Sequence, residues 1–277
     1  MNLHAIPPLD AAAALKRFGL RASKGLGQNF LQDPAALEKI AAAADIEADD
    51  FVLEIGPGLG SLTRYLAAAA REVVAVELDG EILPALQEIL RPYKNARVIH
   101  ADILKTKMSE LVSAPNYIVA ANIPYYITSA VIRHLLESEF KPRRVALTIQ
   151  KEVAERICAA PGDLSLLALS VQVYGAPRLV AKIPAGAFYP APKVDSAILR
   201  IDMYPQPLID HEKLTRFFQL IKAGFGQKRK TLRNALAAGL HVPREESESM
   251  LSGAGIDFMR RAETLSMDEW RRLCEAA

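Results

Sequence analysis

The sequence lacks most features that would place it outside the soluble globular proteins. It has two cysteines in 277 residues, and neither Cys158 nor Cys274 has a partner at metal-binding or redox spacing. No apolar run approaches the roughly 18 residues that a membrane helix needs. The amino terminus has no basic stretch followed by an apolar one, as a secretion signal would. We therefore expect a cytoplasmic location, no membrane contact and no metal site.

Net charge is almost absent as well. Lys and Arg number 34 against 32 Asp and Glu, a net charge of +2, while 51% of the residues are hydrophobic. This composition excludes a disordered chain and a fibre, and it supplies core residues for one large domain and one small one. It also excludes general basicity, so a nucleic-acid partner would have to be bound through local positive charge.

Positive charge is concentrated in two stretches that contain no acidic residue. Residues 11–32 carry four basic side chains, and residues 213–233 carry seven. One such stretch alone is more often a solvated surface, but two in a chain of balanced charge favour a polyanionic partner. The residues that we expect to contact this polyanion are Lys24, Lys222, Lys228, Arg229, Lys230 and Arg233.

Apolar segments alternate with helical patterns as far as residue 203, which predicts an α/β fold with a parallel sheet covered on both faces. The predicted strands are 51–55, 72–77, 96–100, 117–121, 144–150, 164–174 and 197–203, with helices at 61–70, 80–90 and 129–137. After Tyr204-Pro205-Gln206-Pro207 only helical patterns remain, and we expect the single tryptophan, Trp270, in their core. We therefore divide the chain into domains of residues 1–203 and 204–277.

Glycines and acidic residues follow successive predicted strands. The segment Glu54–Gly60 has the spacing G-x-G-x-G, not the G-x-G-x-x-G that holds a dinucleotide pyrophosphate. Glu77 ends the second strand, where a carboxylate can accept both ribose hydroxyls, and Asp102 follows the third, within reach of an adenine amino group. Each has an ordinary alternative as a tight turn, a surface acid or a helix cap. Together they predict an S-adenosylmethionine site that includes Gly56 and Gly58.

Asn122-Ile123-Pro124-Tyr125 follows the fourth strand, beside this predicted site. This loop suggests methylation of an exocyclic amine on a planar base. An adenine N6 is a poor nucleophile because its lone pair is delocalised into the ring. The Asn122 side-chain carbonyl and the Ile123 backbone carbonyl could accept hydrogen bonds from its protons and direct the lone pair toward the methyl donor. Pro124 would stiffen the turn and Tyr125 would stack on the base. The alternative is a plain strand-to-helix turn with Asn as its cap. We expect Tyr126 to be part of the scaffold and not a catalytic residue.

Six segments occur in the order found in the ribosomal RNA adenine N6,N6-dimethyltransferases, and the chain resembles the bacterial small-subunit members of that family over nearly its whole length. The segments are Lys24–Leu31, Glu54–Gly60, Glu77–Asp79, Ala101-Asp102, Asn122–Tyr125 and Phe188–Ser196. The resemblance implies a class I methyltransferase domain with a Rossmann-like, mostly parallel sheet of seven strands, followed by a small all-helical domain. It implies dimethylation of N6 of two adjacent adenosines in a hairpin near the 3′ end of 16S ribosomal RNA.

The resemblance also implies roles for individual residues. Phe188 would cover the second face of the target base, unless it simply packs in the core. The residues implied to contact S-adenosylmethionine are Asn29, Leu31, Gly56, Glu77, Asp102 and Asn122. The implied partner is small-subunit ribosomal RNA within a 30S precursor, bound by a monomer with a role in small-subunit biogenesis.

Three other functions remain open from the sequence. A large-subunit ribosomal RNA methyltransferase of the antibiotic-resistance type would share the adenosine site and the asparagine loop. A non-catalytic RNA-binding assembly factor would keep the fold, although intact Glu77, Asp102 and Asn122 speak against it. A nicotinamide-dependent oxidoreductase is disfavoured by the glycine spacing and by the lack of a proton donor near the site.

Overall fold

The computed structural model describes residues 6–113 and 115–276. The strands in these ranges are Phe30–Leu31 (β1), Phe51–Ile55 (β2), Glu72–Glu77 (β3), Ala96–His100 (β4), Ile118–Asn122 (β5), Arg144–Gln150 (β6), Gly175–Ile183 (β7), Phe188–Tyr189 (β8) and Ser196–Met203 (β9). The α-helices are Ala11–Arg17 (α1), Pro34–Ala44 (α2), Ser61–Ala69 (α3), Leu83–Leu90 (α4), Met108–Leu111 (α5), Thr128–Glu137 (α6), Lys151–Ile157 (α7), Leu166–Gln172 (α8), Leu214–Phe225 (α9), Leu232–Leu240 (α10), Arg244–Gly253 (α11) and Met267–Ala276 (α12).

Seven strands form one sheet in the order β4-β3-β2-β5-β6-β9-β7. The pairs β4–β3, β3–β2, β2–β5 and β5–β6 are parallel, and β9 runs antiparallel to β6. The strands β1 and β8 form a separate antiparallel pair. The predicted seven-stranded, mostly parallel sheet of a class I methyltransferase is thus confirmed.

The central strands are buried on both faces, so they appear in the sequence as continuous apolar runs and not as alternating ones. All residues of 52–55 in β2, 73–77 in β3 and 145–149 in β6 are buried. Helices α2 and α3 pack against this sheet through Ile40 and Tyr65, among other residues. The main core of the first unit therefore lies between helices and sheet, and it holds the carboxyl ends of the strands in fixed positions.

The chain divides into two compact units, residues 1–154 with 178–203, and residues 155–177 with 204–277. This differs from the predicted boundaries, because residues 155–177 belong to the second unit. The strand expected at 164–174 is also wrong, since the structure has helix α8 there. The Ser165 hydroxyl accepts a hydrogen bond from the Ala168 N–H at 3.1 Å and caps that helix. A short apolar run cannot be assigned to strand or helix by periodicity alone.

The second unit is helical, as predicted for the carboxyl-terminal part. Trp270 is fully buried in it, and its ring stacks on Phe225 with centroids 5.9 Å apart, so its expected core position is confirmed. Within residues 6–113 and 115–276, no group of three or more His, Cys, Asp or Glu side chains could hold a metal ion. No helix in those ranges is both long and apolar enough to cross a membrane.

Candidate active site

The candidate active site lies where the strand order reverses. Strands β3 and β4 follow β2 on one side of the sheet, and the next strand in the chain, β5, pairs with β2 on its other side. The carboxyl ends of β2 and β5 are therefore neighbours. Ligands of open α/β sheets bind at such a point. A cavity of about 270 Å³ is found there, built entirely from the first unit. The predicted catalytic and cofactor-binding residues all line it: Asn29, Leu31, Gly56, Gly58, Glu77, Asp102, Asn122, Ile123, Pro124, Tyr125 and Phe188.

The carboxylate of Glu77 is buried at the end of β3 and is held by backbone N–H groups. Its Oε2 accepts a hydrogen bond from Gly58 at 3.0 Å, and its Oε1 accepts one from Asp79 at 2.9 Å. Gly58 has a φ of 57°, and an added Cβ would come within 3.0 Å of the Phe30 ring, so only glycine fits there. Burial raises the pKa of Glu77, although these N–H groups lower it in part. The fixed carboxylate still has lone pairs for ligand hydroxyls.

Glu54 is a second buried acid in the cavity and was not among the predicted site residues. It is 1% exposed, and its Oε2 has no hydrogen-bond partner among the described residues. Burial raises the pKa of Glu54 to about 8; the Thr63 hydroxyl lowers it and the charge of Glu77 raises it further. The sequence did hold a signal. Burying an acid in an apolar strand costs free energy, so its presence there indicates a partner or a function.

Asp102 lies just beyond β4 and already has local partners. Its Oδ1 accepts a hydrogen bond from the Leu104 N–H at 3.0 Å, and its Oδ2 is 3.4 Å from the Lys105 Nζ. The first contact caps a turn and not a helix, so it differs from the helix cap that was the ordinary alternative for Asp102. A carboxylate offers about four acceptor positions, so an adenine amino group can still be bound.

The amino-terminal segment 23–31 is fastened to the cavity wall by side chains. The Gln28 Nε2 donates to the Asp79 Oδ2 at 2.7 Å, which joins the segment to the turn after β3, and within the segment the Asn29 Nδ2 donates to the Gly27 carbonyl at 3.1 Å. At its end, β1 pairs with β8. These bonds bring Asn29 and its neighbours to the cavity, although they are distant in sequence from the sheet.

Asn122, the last residue of β5, is tied to this segment. Its Nδ2 donates to the Asn29 backbone oxygen at 3.1 Å, which leaves the Asn122 Oδ1 as an acceptor. After Pro124, the Tyr125 hydroxyl and the Ser196 hydroxyl share a hydrogen bond of 2.6 Å. Burial raises the pKa of Tyr125, so the phenol stays neutral at physiological pH. The loop thus presents an open carbonyl and a fixed aromatic ring.

Two aromatic residues near the loop differ in exposure. Phe188 is 3% exposed and belongs to the hydrophobic core while also lining the cavity, so its two predicted roles are compatible. Tyr126 is 62% exposed and also lines the cavity, so it is not packed in the core, and its expected role as scaffold and not catalyst stays a prediction. Residues 125–127 form a 3₁₀ turn, in which consecutive side chains point about 120° apart, so Tyr125 can be fixed while Tyr126 projects outward.

The predicted RNA-binding residues lie outside the cavity. Lys24 is exposed in the first unit. Exposed residues of the second unit are Lys222, Lys228, Arg229 and Lys230. Arg233 is only half-exposed: it forms an ion pair with Glu248, and its guanidinium carbon lies 5.3 Å from the Phe258 ring centroid. Neither partner of Arg233 could be inferred from local sequence patterns.

The cavity suits a cofactor with ribose hydroxyls and positive charge better than one with phosphates. The buried carboxyls of Glu54 and Glu77 line the same space, and Glu54 has an unpartnered oxygen. The Gly58 N–H, which a pyrophosphate would need, is occupied by Glu77. This arrangement disfavours a nicotinamide dinucleotide and fits S-adenosylmethionine.

Comparison with known proteins agrees with this fit. Residues 19–277 match the family described as ribosomal RNA adenine dimethylase. A relative from Dehalococcoides mccartyi (strain CBDB1), named Ribosomal RNA small subunit methyltransferase A, is 50% identical over 266 residues, which are 96% of this chain and 91% of the relative. A protein of the same name from Alkaliphilus metalliredigens (strain QYMF) is 40% identical over 97% of this chain and 96% of its own length.

Two crystal structures show the same fold. The 23S rRNA methyltransferase ErmE superposes with a TM-score of 0.74 and 31% identity, over 90% of this chain and 99% of that one. A dimethyladenosine transferase from Plasmodium falciparum gives 0.75 and 28%, over 88% and 95%. The chain therefore belongs to the ribosomal RNA adenine dimethylase family, enzymes that use S-adenosylmethionine to methylate ribosomal RNA.

Proposed function

We propose that this chain dimethylates N6 of two adjacent adenosines in a hairpin near the 3′ end of small-subunit (16S) ribosomal RNA. The observation that carries the proposal is Asn122, which ends β5 beside the acid-lined cavity with its amide nitrogen occupied and its carbonyl available. The choice of RNA rests on the relatives named for the small subunit, which are 40% to 50% identical over almost the whole chain.

The side chains of the loop perform positioning and electrostatic work. The Asn122 Oδ1 and the Ile123 backbone carbonyl accept the N6 protons and turn the nitrogen lone pair toward the methyl donor. Tyr125, fixed by Ser196, stacks on the base. The cofactor, when bound, supplies a sulfonium methyl group that is already activated. A strong base is therefore unnecessary, and orientation supplies much of the rate.

Unmethylated 30S and 50S particles, incubated with labelled cofactor, test the choice of RNA. We expect label in 30S RNA, located by mass mapping as dimethyladenosine at two adjacent positions. Label in 50S alone would overturn the proposal in favour of a large-subunit enzyme, the activity in the name of ErmE. Absence of label with intact S-adenosylhomocysteine binding would instead favour a non-catalytic RNA-binding factor.

We further infer that the chain acts as a monomer on a 30S precursor, with a role in small-subunit biogenesis. A single chain suffices for the chemistry, because every residue that lines the cavity comes from its first unit. A ribosomal substrate also supports a cytoplasmic location. Light scattering of the active protein at working concentration, with and without a 30S precursor, measures the number of copies.

The exposed turn after α9 is expected to bind the RNA backbone. Lys228, Arg229 and Lys230 are consecutive and exposed, and replacing all three with alanine removes three phosphate contacts. The slope of log affinity against log salt concentration should become flatter by about 2, since each contact to single-stranded RNA contributes about 0.7. Filter binding between low and moderate salt measures the slope.

The control for this prediction is a triple alanine variant of other exposed basic residues of the same unit, Arg244, Arg261 and Arg271. It removes the same charge at scattered positions and should keep the slope of the wild type. If both triple variants change the slope equally, general charge and not the turn after α9 binds the RNA.

Cofactor binding is expected to release a proton from Glu54. Since burial raises the pKa of Glu54 to about 8, the carboxyl is mostly protonated at pH 7 in the free protein. The sulfonium and ammonium charges of a bound cofactor favour the carboxylate and lower that pKa. Affinity should therefore increase as the pH rises toward about 8 and then level off. Calorimetric titrations in two buffers of different ionisation enthalpy count the released protons.

The Glu54→Gln variant should bind without proton release, whereas Glu72→Gln, at the amino end of the neighbouring strand β3, should release a proton as the wild type does. The same pKa shift has a consequence for stability. Because the pKa of Glu54 in the folded protein lies above its ordinary value of 4.5, the free energy of unfolding of the free protein decreases as the pH rises from about 4.5 to about 8. Equal proton release by the wild type and Glu54→Gln would contradict this role of Glu54.

A further inference from the structure

An exposed tyrosine stands at the mouth of the cavity and has no part in the chemistry described above. Tyr126 is 62% exposed, the largest exposed fraction among the exposed large apolar side chains of the described residues, yet it lines the cavity. Aromatic side chains are usually buried because removing their large apolar area from water is favourable. An aromatic ring left open at the edge of a binding site is therefore a candidate contact for the substrate.

The ring of Tyr126 is supported by the amino-terminal segment. A Cβ on Gly27 would lie 3.2 Å from the Tyr126 Cδ1, 3.3 Å from its Cε1 and 3.5 Å from the Pro124 Cβ. Gly27 has a φ of 61°, and its N–H donates to the Lys24 carbonyl at 3.1 Å. The glycine thus lets the ring rest on the backbone of a turn that begins with an exposed lysine. An aromatic surface next to a basic turn is the combination that binds single-stranded nucleic acid.

We propose that Tyr126 is the stacking platform for the nucleotide next to the target adenosine. The proposal rests on the proposed function, in which two adjacent adenosines are modified. A target base must leave its stack to reach the methyl donor, and its neighbour then loses a stacking partner. Tyr125 and Tyr126 are consecutive on a 3₁₀ turn and point in different directions. The half-buried Tyr125 ring faces the target inside the cavity, and the exposed Tyr126 ring offers a face at the cavity mouth for the neighbour.

The charge around Tyr126 favours RNA over a protein partner. Residues 11–32, which include the supporting turn, contain basic residues and no acid. Glu54, Glu77 and Asp102 line the same cavity but belong to the predicted cofactor site, and the Asp79 carboxylate is engaged by Gln28 at 2.7 Å and by local backbone. The Tyr126 ring is therefore accessible to a nucleotide whose phosphate approaches Lys24.

Steady-state methylation of a hairpin RNA with two adjacent adenosines tests the platform. Tyr126→Ala should raise the KM for RNA about tenfold, within the range for loss of one base–aromatic contact. The kcat and the affinity for S-adenosylhomocysteine should not change, because Tyr125 and the acids of the cavity are intact. Tyr126→Phe should restore the KM, whereas Tyr126→Leu, which keeps apolar bulk without a ring, should not.

A second hairpin carries an abasic nucleotide in place of the neighbouring adenosine. It separates the loss of stacking from the other effects of the Tyr126 substitution. On this RNA the wild type and Tyr126→Ala should have nearly equal KM values for the remaining adenosine. Val180→Ala removes another exposed apolar side chain of the same unit, away from the cavity, and should match the wild type on both RNAs.

Equal KM values of wild type and Tyr126→Ala on the intact hairpin would overturn the platform. A tenfold difference that persists on the abasic hairpin would also overturn it. So would a defect seen on 30S particles but not on naked RNA, which would indicate a protein contact. If the wild type methylates neither the hairpin nor 30S particles, the proposed function fails instead. Quenching of 2-aminopurine at the neighbouring position, by wild type but not by Tyr126→Ala, then still decides whether Tyr126 stacks.

Discussion

Replacing Asn122 with alanine is expected to lower kcat by about 10³-fold, the loss typical of removing one preorganised polar group from a reacting centre. The variant loses the side-chain carbonyl that accepts an N6 proton and leaves the adenine lone pair delocalised in the ring. RNA affinity should stay within about twofold, because grip and register come from basic residues elsewhere. Single-turnover methylation at saturating RNA and cofactor, with filter binding in parallel, measures the two quantities.

A structural defect must be distinguished from a chemical one, because Asn122 also donates to the Asn29 backbone oxygen at 3.1 Å. Binding of S-adenosylhomocysteine and thermal unfolding of Asn122→Ala report on that contact. Asn116→Gly is a matched control, since Asn116 is an exposed residue with a φ of 69° that glycine adopts without strain. It should methylate at the wild-type rate. Undiminished methylation by Asn122→Ala would remove Asn122 from the reaction.

Most of the central sheet could be predicted from the sequence because its strands are apolar runs, and β2, β3 and β6 are buried on both faces. The strands Phe51–Ile55, Glu72–Glu77, Ala96–His100 and Arg144–Gln150 have the predicted bounds, and β5 is displaced by one residue. Each is an apolar run that ends at glycine, an acid or a polar residue. The positions of Glu77, Asp102 and Asn122 at one edge of the sheet follow from the parallel arrangement alone.

The rest depends on contacts between residues distant in sequence, for which local patterns hold no signal. The bond from Asn122 to Asn29 joins residues 93 positions apart, and the bond from Gln28 to Asp79 joins residues 51 apart. The partners of Arg233 lie in two other parts of the helical unit. The exposure of Tyr126 is likewise set by a turn and a glycine about a hundred residues earlier, Gly27. The sequence predicted most of the discussed residues that line the cavity. Tertiary contacts determine which of their polar atoms and ring faces stay available for a ligand.

Replacing Glu77 with alanine is expected to weaken cofactor binding strongly. The carboxylate is buried and fixed by two backbone N–H groups, so it meets the ribose hydroxyls without reorganisation. A hydrogen bond to a charged group contributes about 1.5–3 kcal/mol, and two are lost. Affinity for S-adenosylhomocysteine should therefore fall by about 10²- to 10³-fold or more. Calorimetric titration measures the change.

Glu77→Gln is expected to be nearly as impaired as Glu77→Ala, which is the sharper test of the geometry. An amide has one oxygen, so its NH₂ group would face the N–H of either Gly58 or Asp79, two donors against each other. Glu72→Gln changes an acid at the amino end of the same strand, where it is 3.9 Å from Arg97, and should bind the cofactor normally. If Glu77→Gln bound as tightly as the wild type, the ribose would be held elsewhere. The cavity at the strand ends would then lose its assignment as the cofactor site.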